Sequence, residues 1–445
     1  MSAPIPEPMT YELAQSVLTG LLEVTIPASA ALIGFAAVRN GLRELLRPDR
    51  TLITLRDQMP ALANKTYFNY GGQGPLPSPS LEAIHATWEL IQQLGPFSSA
   101  VWPELDRING RLRRHLAQWL GVGPHRLAFS ENVTAGCVLP LWGLPWHAGD
   151  ELLISDAEHP GVVAACRELA RRQHLVIADL PVQQQLGDQA SSDQAVLESL
   201  ERRLSGRTRL VVLSHLLWNT GQLMPIRAVA ERLAAHPNHP WLLVDAAQSL
   251  GSVPLDGPES AAAVADIYGC TGHKWCCGPE GLGVVALSDR LLQDSRPTLI
   301  GWRSLCDEQR GDSRFHGDAR RFEVATSCTP LAAGLERSLQ LLEAEAKAAD
   351  RLARIRERSR QLWQGLQNLP GAQTILSSPP AAGLVSFRLG SHSAAALVEA
   401  LGHRGLWLRR LPEPDCVRAC THVTTTAEEV TLLLETLAEL IRAAG

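Results

Sequence analysis

Lysine is almost absent from this 445-residue sequence: only Lys65, Lys274 and Lys347 occur among 41 basic side chains, and the others are arginine. There is no excess of basic charge either, because 46 acidic residues give a net charge of −5, so the electrostatic footprint of a nucleic-acid-binding protein is missing. The nine cysteines form no C-x-x-C pair, which excludes an ordinary zinc finger, and their odd number disfavours a disulfide framework. With 45% apolar and 20% charged residues, we expect a soluble, cytoplasmic globular protein.

One N-terminal segment departs from that composition. From Ser16 to Val38 the chain is largely apolar and long enough to span a bilayer, and four arginines follow it. Glu23, near its middle, would be costly in hydrocarbon, so we favour a helix packed on the protein or a leader outside the fold over a membrane anchor. The absence of a charged n-region and a cleavage site disfavours a secretory signal. We treat residues 1–50 as a separate segment without an assigned role.

After Arg50, short apolar runs alternate with longer helical stretches, which predicts βαβ units and a mainly parallel sheet. Seven runs predict strands: Arg126–Ser130, Leu152–Ser155, Leu175–Ala178, Leu210–Ser214, Trp241–Asp245, Ala265–Cys270 and Gly283–Leu287. The last two are too close in sequence for a crossover helix, so one strand is expected to be antiparallel. The polar stretch Gln183–Asp193 predicts a surface loop.

The C-terminal third has its own pattern. A long helical region runs from Thr329 to about Gln367, and shorter strands and helices follow it. The final helix begins with a capping box, Thr426–Glu429. We therefore predict an α/β protein with a large domain over residues 51–310, built on a seven-stranded sheet, and a smaller C-terminal α/β domain over residues 311–445.

The most informative stretch is ADIYGCTGHKWCCGPEGLG, residues 265–283, in which a strand leads Lys274 into a glycine-rich turn. A lysine at a buried strand end suits covalent chemistry, because a desolvated amine is a competent nucleophile toward an aldehyde cofactor. The alternative is a lysine that merely reaches solvent, which is natural for Lys65 in a polar turn and for Lys347 in a charged helix. A zinc site formed by His273 and the two adjacent cysteines lacks normal ligand spacing, and we predict no metal.

Three further segments place polar residues at strand ends. In WLLVDAAQS, residues 241–249, Asp245 ends an apolar strand and either faces a ligand crevice or caps a following helix. In FSENVTAG, residues 129–136, a helix start offers backbone N–H groups to a phosphate. In DAEHPG, residues 156–161, His159 follows a strand and would otherwise be an ordinary loop histidine.

Taken in order, the helix start, the histidine, the Asp-x-x-Gln segment and the Thr-Gly-His-Lys segment resemble the class V aminotransferase family of pyridoxal 5′-phosphate (PLP) enzymes, which includes the cysteine desulfurases. The resemblance covers roughly residues 60–445 and implies fold type I of the PLP-dependent transferases. It also implies a homodimer.

The resemblance implies a role for each matching residue. Lys274 would be the Schiff-base lysine, Asp245 the partner of the pyridine nitrogen and Gln248 the partner of the ring hydroxyl, while His159 would stack on the ring and share in catalysis. The phosphate would be held by Thr134, Thr271, His273 and, from the neighbouring subunit, Thr329, and Val133 would be a further cofactor-binding residue.

Substrate contacts follow from the same resemblance. Arg418, in CVRACTHV (residues 416–423), would bind the substrate α-carboxylate, although a surface ion pair is the alternative. Gln73 in YFNYGGQGP and Trp218 in LSHLLWNTG would also contact the substrate. Desulfurases carry a nucleophilic cysteine on a loop before this arginine, but no cysteine lies between Cys328 and Cys416 here. The chain is most similar to the L-cysteine/cystine C–S lyase branch.

That branch implies α,β-elimination of L-cystine or L-cysteine to pyruvate, ammonia and a persulfide or sulfide, and we favour cystine. The sulfur would pass to an acceptor protein, for example in iron–sulfur cluster assembly. Alternatives remain open: a cysteine desulfurase or selenocysteine lyase in which Cys416 accepts sulfur beside Arg418, an amino-acid epimerase or aminotransferase of the same family, and a non-catalytic scaffold.

Overall fold

The computed structural model describes residues 53–183, 188–257, 260–307 and 314–444, so the apolar segment 16–38 lies outside the described residues. The chain divides after Ile53, and the features below belong to the unit Thr54–Gly445. Within the described ranges, no helix is both long and apolar enough to cross a membrane.

The elements are numbered in chain order. The strands are β1 Thr66–Tyr67, β2 Leu127–Ser130, β3 Glu151–Ser155, β4 Val176–Leu180, β5 Thr208–Ser214, β6 Trp241–Asp245, β7 Ile267–Thr271, β8 Gly283–Leu287, β9 Ala372–Thr374, β10 Leu384–Leu389, β11 Leu406–Trp407, β12 Arg409–Pro412 and β13 Asp415–Cys420. The helices are α1 Ser78–Leu94, α2 Trp102–Leu120, α3 Val133–Trp142, α4 Pro160–Gln173, α5 Gln189–Arg203, α6 Ile226–Ala235, α7 Ala261–Val264, α8 Asp289–Asp294, α9 Thr329–Glu345, α10 Ala348–Gln367, α11 Ala394–Gly402 and α12 Ala427–Ala444.

The central sheet has seven strands in the order β2-β8-β7-β6-β5-β3-β4. Strand β8 pairs antiparallel with both of its neighbours, and the other pairings are parallel. A short turn rather than a helix joins β7 to β8, which is why this strand reverses direction. The predicted mainly parallel seven-stranded sheet, with one antiparallel strand among the last pair, is confirmed.

Both faces of the sheet are buried. In β3, Leu153 packs into one apolar core while Leu152 and Ile154 pack into another on the opposite face, as the two-residue period of a strand requires. Helices cover both faces, so the strands are apolar almost throughout, as is typical of parallel sheets. This layering leaves the carboxyl ends of the strands as the open edge, where open α/β sheets bind ligands.

A second, antiparallel sheet has the order β12-β13-β10-β9 and packs with α10, α11 and α12 around its own core. The predicted helical region 329–367 is two helices, α9 and α10, separated at Ala346–Lys347. The predicted loop Gln183–Asp193 is wrong from Gln189 onward, because Asp188 caps α5 by accepting a hydrogen bond from Ser191 N. The domain boundary at residue 310 stays a prediction.

Candidate active site

Six of the predicted residues meet in one cavity at the carboxyl edge of the central sheet. The residues that line it are Val133, His159, Ser214, Leu216, Trp218, Asp245, Ala247, Gln248 and Lys274. They come from the ends of β5, β6 and β7 and from the starts of α3 and α4. The fold therefore brings together side chains that are up to 141 positions apart in sequence, from Val133 to Lys274.

Lys274 follows β7 and is mostly buried. Its amine makes no hydrogen bond or ion pair to any residue that the structure describes. Burial lowers the pKa of Lys274 to about 8, and the positive charges of Arg418 and Arg409 add to this effect while Asp245 opposes it. About a fifth of an amine with this pKa is neutral at pH 7.4, compared with roughly a thousandth at the ordinary pKa of lysine, and the neutral amine is the state a nucleophile needs.

Asp245, the last residue of β6, is buried and lines the same cavity. Its Oδ1 accepts a hydrogen bond of 2.9 Å from Ala247 N, which closes a local turn. No helix starts in the residues that follow Asp245 up to position 257, so the helix-cap alternative is excluded for this carboxylate. A buried carboxylate at this edge suits a protonated ring nitrogen of a ligand.

His159 is the N-cap residue of α4, and its Nδ1 accepts a hydrogen bond of 3.2 Å from Gly161 N. Because Nδ1 is an acceptor, the neutral ring carries its proton on Nε2. The imidazole lies 5.6 Å from the Trp218 ring in an edge-to-face arrangement. Burial lowers the pKa of His159, which favours a neutral aromatic face toward the cavity.

Hydroxyl and N–H groups suited to a phosphate lie at the starts of α3 and α4. Asn132 caps α3 by accepting from Ala135 N, so the first N–H groups of that helix, at Val133 and Thr134, have no partner within the helix. Thr134 Oγ1 lies beside Gly161 of α4, which places the two helix starts next to each other. Such helix starts bind anions through their N–H groups and dipoles.

Thr271 and His273, the other two residues predicted at the phosphate, bond to each other. The Thr271 hydroxyl and His273 Nδ1 are 2.7 Å apart. Burial lowers the pKa of His273, which favours the neutral form of its ring. Neither residue lines the cavity.

The carboxylate-binding candidate, Arg418, is on β13 and is 2% exposed. Its Nη1 donates to Trp218 O over 2.6 Å, whereas Nε and Nη2 are buried without a hydrogen-bond partner. This excludes the surface ion-pair alternative. Burying a guanidinium with two unpaired donor nitrogens lowers the stability of the protein unless a ligand supplies an acceptor. A carboxylate is the acceptor whose planar shape matches a guanidinium.

Six of the predicted residues do not line the cavity: Thr134, Thr271, His273, Arg418, Gln73 and Thr329. The last two have partners of their own elsewhere. Gln73 is exposed, and its carbonyl oxygen accepts a hydrogen bond of 2.7 Å from the Tyr67 hydroxyl. Thr329 is buried at the start of α9, where its hydroxyl accepts from Asn109 Nδ2 over 3.2 Å. The exposed hydroxyls nearest to it in sequence are Thr326 and Ser327. A contact of Thr329 across a subunit interface stays a prediction.

Sequence reasoning missed three residues beside the cavity. Arg409 pairs directly with Arg418 across the β12–β13 hairpin. Trp275 donates from its indole nitrogen to Gln248 Oε1 over 2.9 Å. Glu158 is buried and accepts three hydrogen bonds from Ser155 and Ser214, and burial raises its pKa to about 7. The hairpin turn after Pro412 was a usable signal for Arg409, since it fixes which residues face each other.

Comparisons with known proteins agree with this geometry. The class V aminotransferase family profile matches residues 103–433. Isopenicillin N epimerase of Amycolatopsis lactamdurans is 32% identical over 86% of this chain and 97% of the relative. A probable cysteine desulfurase of Pseudomonas aeruginosa is 29% identical over 74% of this chain and 82% of the relative.

Solved structures of PLP enzymes are also similar to this chain. The cystine C–S lyase C-DES, in complex with its reaction product cysteine persulfide, superimposes with a TM-score of 0.80 at 42% identity over 86% of this chain and 99% of that one. A C-DES mutant with glycine covalently linked to PLP gives a TM-score of 0.81 at 42% identity over 88% of this chain and all of that one.

The cavity itself fits PLP. It offers an unpartnered amine of lowered pKa to an aldehyde, a buried carboxylate to a ring nitrogen, and unused helix N–H groups to a phosphate. The fold and the matched residues agree with this chemistry. The chain therefore belongs to the class V aminotransferase family and uses PLP as its cofactor.

Proposed function

We propose that this enzyme is a C–S lyase that acts on L-cystine by α,β-elimination. One C–S bond of the disulfide substrate breaks, cysteine persulfide leaves, and the remaining aminoacrylate takes up water to give pyruvate and ammonia. The likeness to C-DES at 42% identity supports this proposal. The observation that carries it is a pair of arginines on facing strands, one of which bonds to the cavity residue Trp218.

Arg418 and Arg409 are opposite each other on adjacent antiparallel strands, so their side chains extend from the same face of the sheet. Arg418 Nε and Nη2 have no partner, and its Nη1 bonds to the carbonyl oxygen of Trp218, which lines the cavity. Arg409 is exposed and makes no hydrogen bond or ion pair with any described residue, although its charge acts on Lys274 and Arg418. Cystine carries two carboxylates and cysteine one, so two unpaired guanidinium groups favour the larger substrate.

The cysteines next to Arg418 argue against a persulfide relay. Cys416 and Cys420 flank it at two-residue intervals on β13, and both are fully buried. Burial raises the pKa of Cys416 to about 11, whereas a sulfur acceptor needs an accessible thiolate. The exposed cysteines, Cys306 and Cys328, do not line the cavity. The persulfide is therefore expected to leave as a free product.

The chain's own residues would act as follows. PLP, when bound, supplies an aldehyde for covalent attachment and an electron sink for the carbanion that forms at the α-carbon. Arg418 orients the α-carboxylate, and the neutral amine of Lys274 removes the α-proton. Both Asp245 and His159 line the cavity, where the carboxylate would favour a positive charge on the ring nitrogen and the imidazole would pack against the ring. Gln248, whose amide is bonded to Gly71 and Trp275, would offer an N–H to the ring oxygen.

The first experiment incubates the purified enzyme with L-cystine and quantifies pyruvate against alanine. We expect pyruvate and cysteine persulfide in equal amounts, and none from Lys274→Ala. Alanine with stoichiometric sulfane sulfur would instead establish a desulfurase. In that case Cys416→Ser would show whether the buried thiol accepts the sulfur.

The second experiment tests the arginine pair. Arg409→Gln should lower kcat/KM for cystine about 10- to 100-fold, because a hydrogen bond to a charged group contributes roughly 1.5–3 kcal/mol. Both substrates are measured above pH 9, where Lys274 is neutral with or without the charge of Arg409. Turnover of L-cysteine, which lacks a second carboxylate, should not change there. The matched control is Arg410→Gln, since Arg410 is the next residue on β12 and pairs with Asp415 over 2.9 Å. An equal loss with both substrates would refute a distal carboxylate site.

Amino-acid epimerisation is the second candidate, because isopenicillin N epimerase relatives match nearly their whole length. Both reactions begin with removal of the α-proton, so the cavity supports either one up to that step. Chiral chromatography of the recovered amino acid after incubation in D₂O separates them. Deuterated D-amino acid without pyruvate would replace the lyase proposal with an epimerase.

A further inference from the structure

The orientation of the Gln248 amide is determined by its two partners. Gln248 is 3% exposed, and its Nε2 donates to Gly71 O over 2.9 Å while its Oε1 accepts from Trp275 Nε1 over 2.9 Å. A carbonyl oxygen only accepts and an indole nitrogen only donates, so the opposite orientation would lose both bonds. The amide is therefore fixed in one orientation.

This fixed amide leaves a donor for the cavity. Gln248 lines the cavity, and one of its two Nε2 hydrogens is used by Gly71. Its oxygen lies against Gly71 and the Trp275 indole, since a Cβ on Gly71 would come within 2.9 Å of Oε1. The group that Gln248 can present to a ligand is consequently the second N–H.

Trp275 is itself held from several sides. It is fully buried and is the residue directly after Lys274. Gly383 lies against its ring, where a Cβ would come within 2.7 Å of Cη2. His422, whose pKa burial lowers to about 4, is neutral and donates from Nε2 to Trp275 O over 3.1 Å. The indole N–H therefore has a defined position, and its partner is Gln248 Oε1.

We propose that Trp275 is a positioning residue that holds Gln248 as a hydrogen-bond donor to the ring oxygen of PLP. The inference rests on the proposed placement of the cofactor ring beside Gln248. An N–H donor stabilises a deprotonated ring oxygen more than a protonated one, so this contact lowers the pH at which the bound cofactor loses its proton. Without the indole N–H, only the bond to Gly71 O holds the amide, so its oxygen turns toward the cavity more readily.

The experiment compares two variants of the full-length holoenzyme. Trp275→Phe removes the indole N–H, whereas Trp275→His keeps an N–H at the equivalent position of a five-membered ring. Both substitutions reduce side-chain volume, so a comparison of the two variants reports the effect of losing the N–H donor. The visible absorbance of bound PLP is titrated with pH, and the midpoint pH of the absorbance change is called the transition. We expect the transition to rise by about one pH unit in Trp275→Phe and by less in Trp275→His.

A matched control removes an indole hydrogen bond of similar length elsewhere. Trp363 Nε1 donates to Leu376 O over 3.0 Å in the C-terminal sheet region, and Trp363→Phe should leave the transition unchanged. Gln248→Ala should raise the transition by itself, and adding Trp275→Phe should then have no further effect. An additional shift in the double variant would overturn the proposal, because Trp275 would then act by another route.

A second measurement leaves Trp275 intact, in case its variants do not fold. In the indole ¹⁵N–¹H spectrum, Gln248→Ala should move the Trp275 resonance, and PLP binding should move it in the wild type but not in Gln248→Ala. No movement of that resonance would refute the proposal. An unchanged absorbance transition in Gln248→Ala would instead refute the cofactor placement. Neither result depends on whether pyruvate is the product. Failure of the Trp275 proposal can therefore be distinguished from failure of the lyase proposal.

Discussion

Among single residues, the protonation state of Lys274 sets the pH range of its chemistry, since only a neutral amine attacks an aldehyde. Burial lowers its pKa from 10.5 to about 8. Below that pH the neutral fraction falls about tenfold for each pH unit. We expect the rate of reconstitution of the apoprotein with PLP to fall in the same proportion below about pH 8 and to level off above it.

Stopped-flow absorbance measures this rate, and Lys274→Ala provides the blank for PLP that binds without a covalent bond. Arg409→Gln should move the midpoint upward, because the charge of Arg409 lowers the pKa of Lys274. A rate that continues to rise up to pH 10 would contradict the lowered pKa.

Whether a functional residue can be identified from the sequence depends on whether its partners are close to it in the chain. Lys274 was identifiable because lysine is so rare and because a strand and a glycine-rich turn surround it. Arg409 had only the weaker signal of the hairpin turn after Pro412, since its role depends on a neighbour nine positions later in a chain where arginine is common. Trp275 was also missed, because its partner Gln248 belongs to another strand end.

At the scale of elements, the start of α12 tests a sequence-derived prediction quantitatively. Thr426 N donates to Glu429 Oε2 over 3.0 Å and Glu429 N donates to Thr426 Oγ1 over 3.2 Å, which is the predicted capping box. We expect Thr426→Ala to lower the free energy of unfolding by about 1 kcal/mol, because one helix N–H loses its acceptor. Urea denaturation at fixed PLP concentration, followed by circular dichroism, measures the difference.

The matched control for this prediction is Thr431→Ala, four residues into the exposed side of the same helix. Its hydroxyl bonds back to Ala427 O over 3.1 Å and accepts a long bond of 3.4 Å from Gln361 Nε2, which keeps its bond to Ala427 O. Alanine, a better helix former, should therefore be close to neutral. Equal destabilisation by both substitutions would show that the effect is general to the helix rather than specific to its cap.

Helices and strands could be predicted where the local sequence pattern determines them, and less well where contacts between distant residues determine them. The seven strands of the central sheet follow from apolar runs that are buried on both faces. The break between α9 and α10 contains neither proline nor glycine, so nothing local signals it. There Arg351 Nη1 donates to Leu342 O and Ala346 O, which ends α9 through a side chain from the next helix.

For the whole molecule, the proposed site is assembled from two sheets. Lys274 and Asp245 belong to the seven-stranded sheet, whereas Arg418 and Arg409 belong to the four-stranded one, and the bond from Arg418 to Trp218 O connects them over 200 positions of sequence. Both sheets lie within the unit Thr54–Gly445. A chain that starts at Thr54 should therefore keep kcat/KM for cystine within about twofold of the full-length value.

A comparison of the same truncated chain with the full-length chain tests whether the apolar segment 16–38 is a membrane anchor. We expect neither chain to float with phospholipid vesicles, because Glu23 near the middle of that segment is costly in hydrocarbon. Flotation of the full-length chain alone would establish an anchor without affecting the catalytic proposal. Loss of turnover in a truncated chain that still binds PLP would show instead that residues before Thr54 contribute to the site, and the division of the chain at Ile53 would then not be a functional boundary.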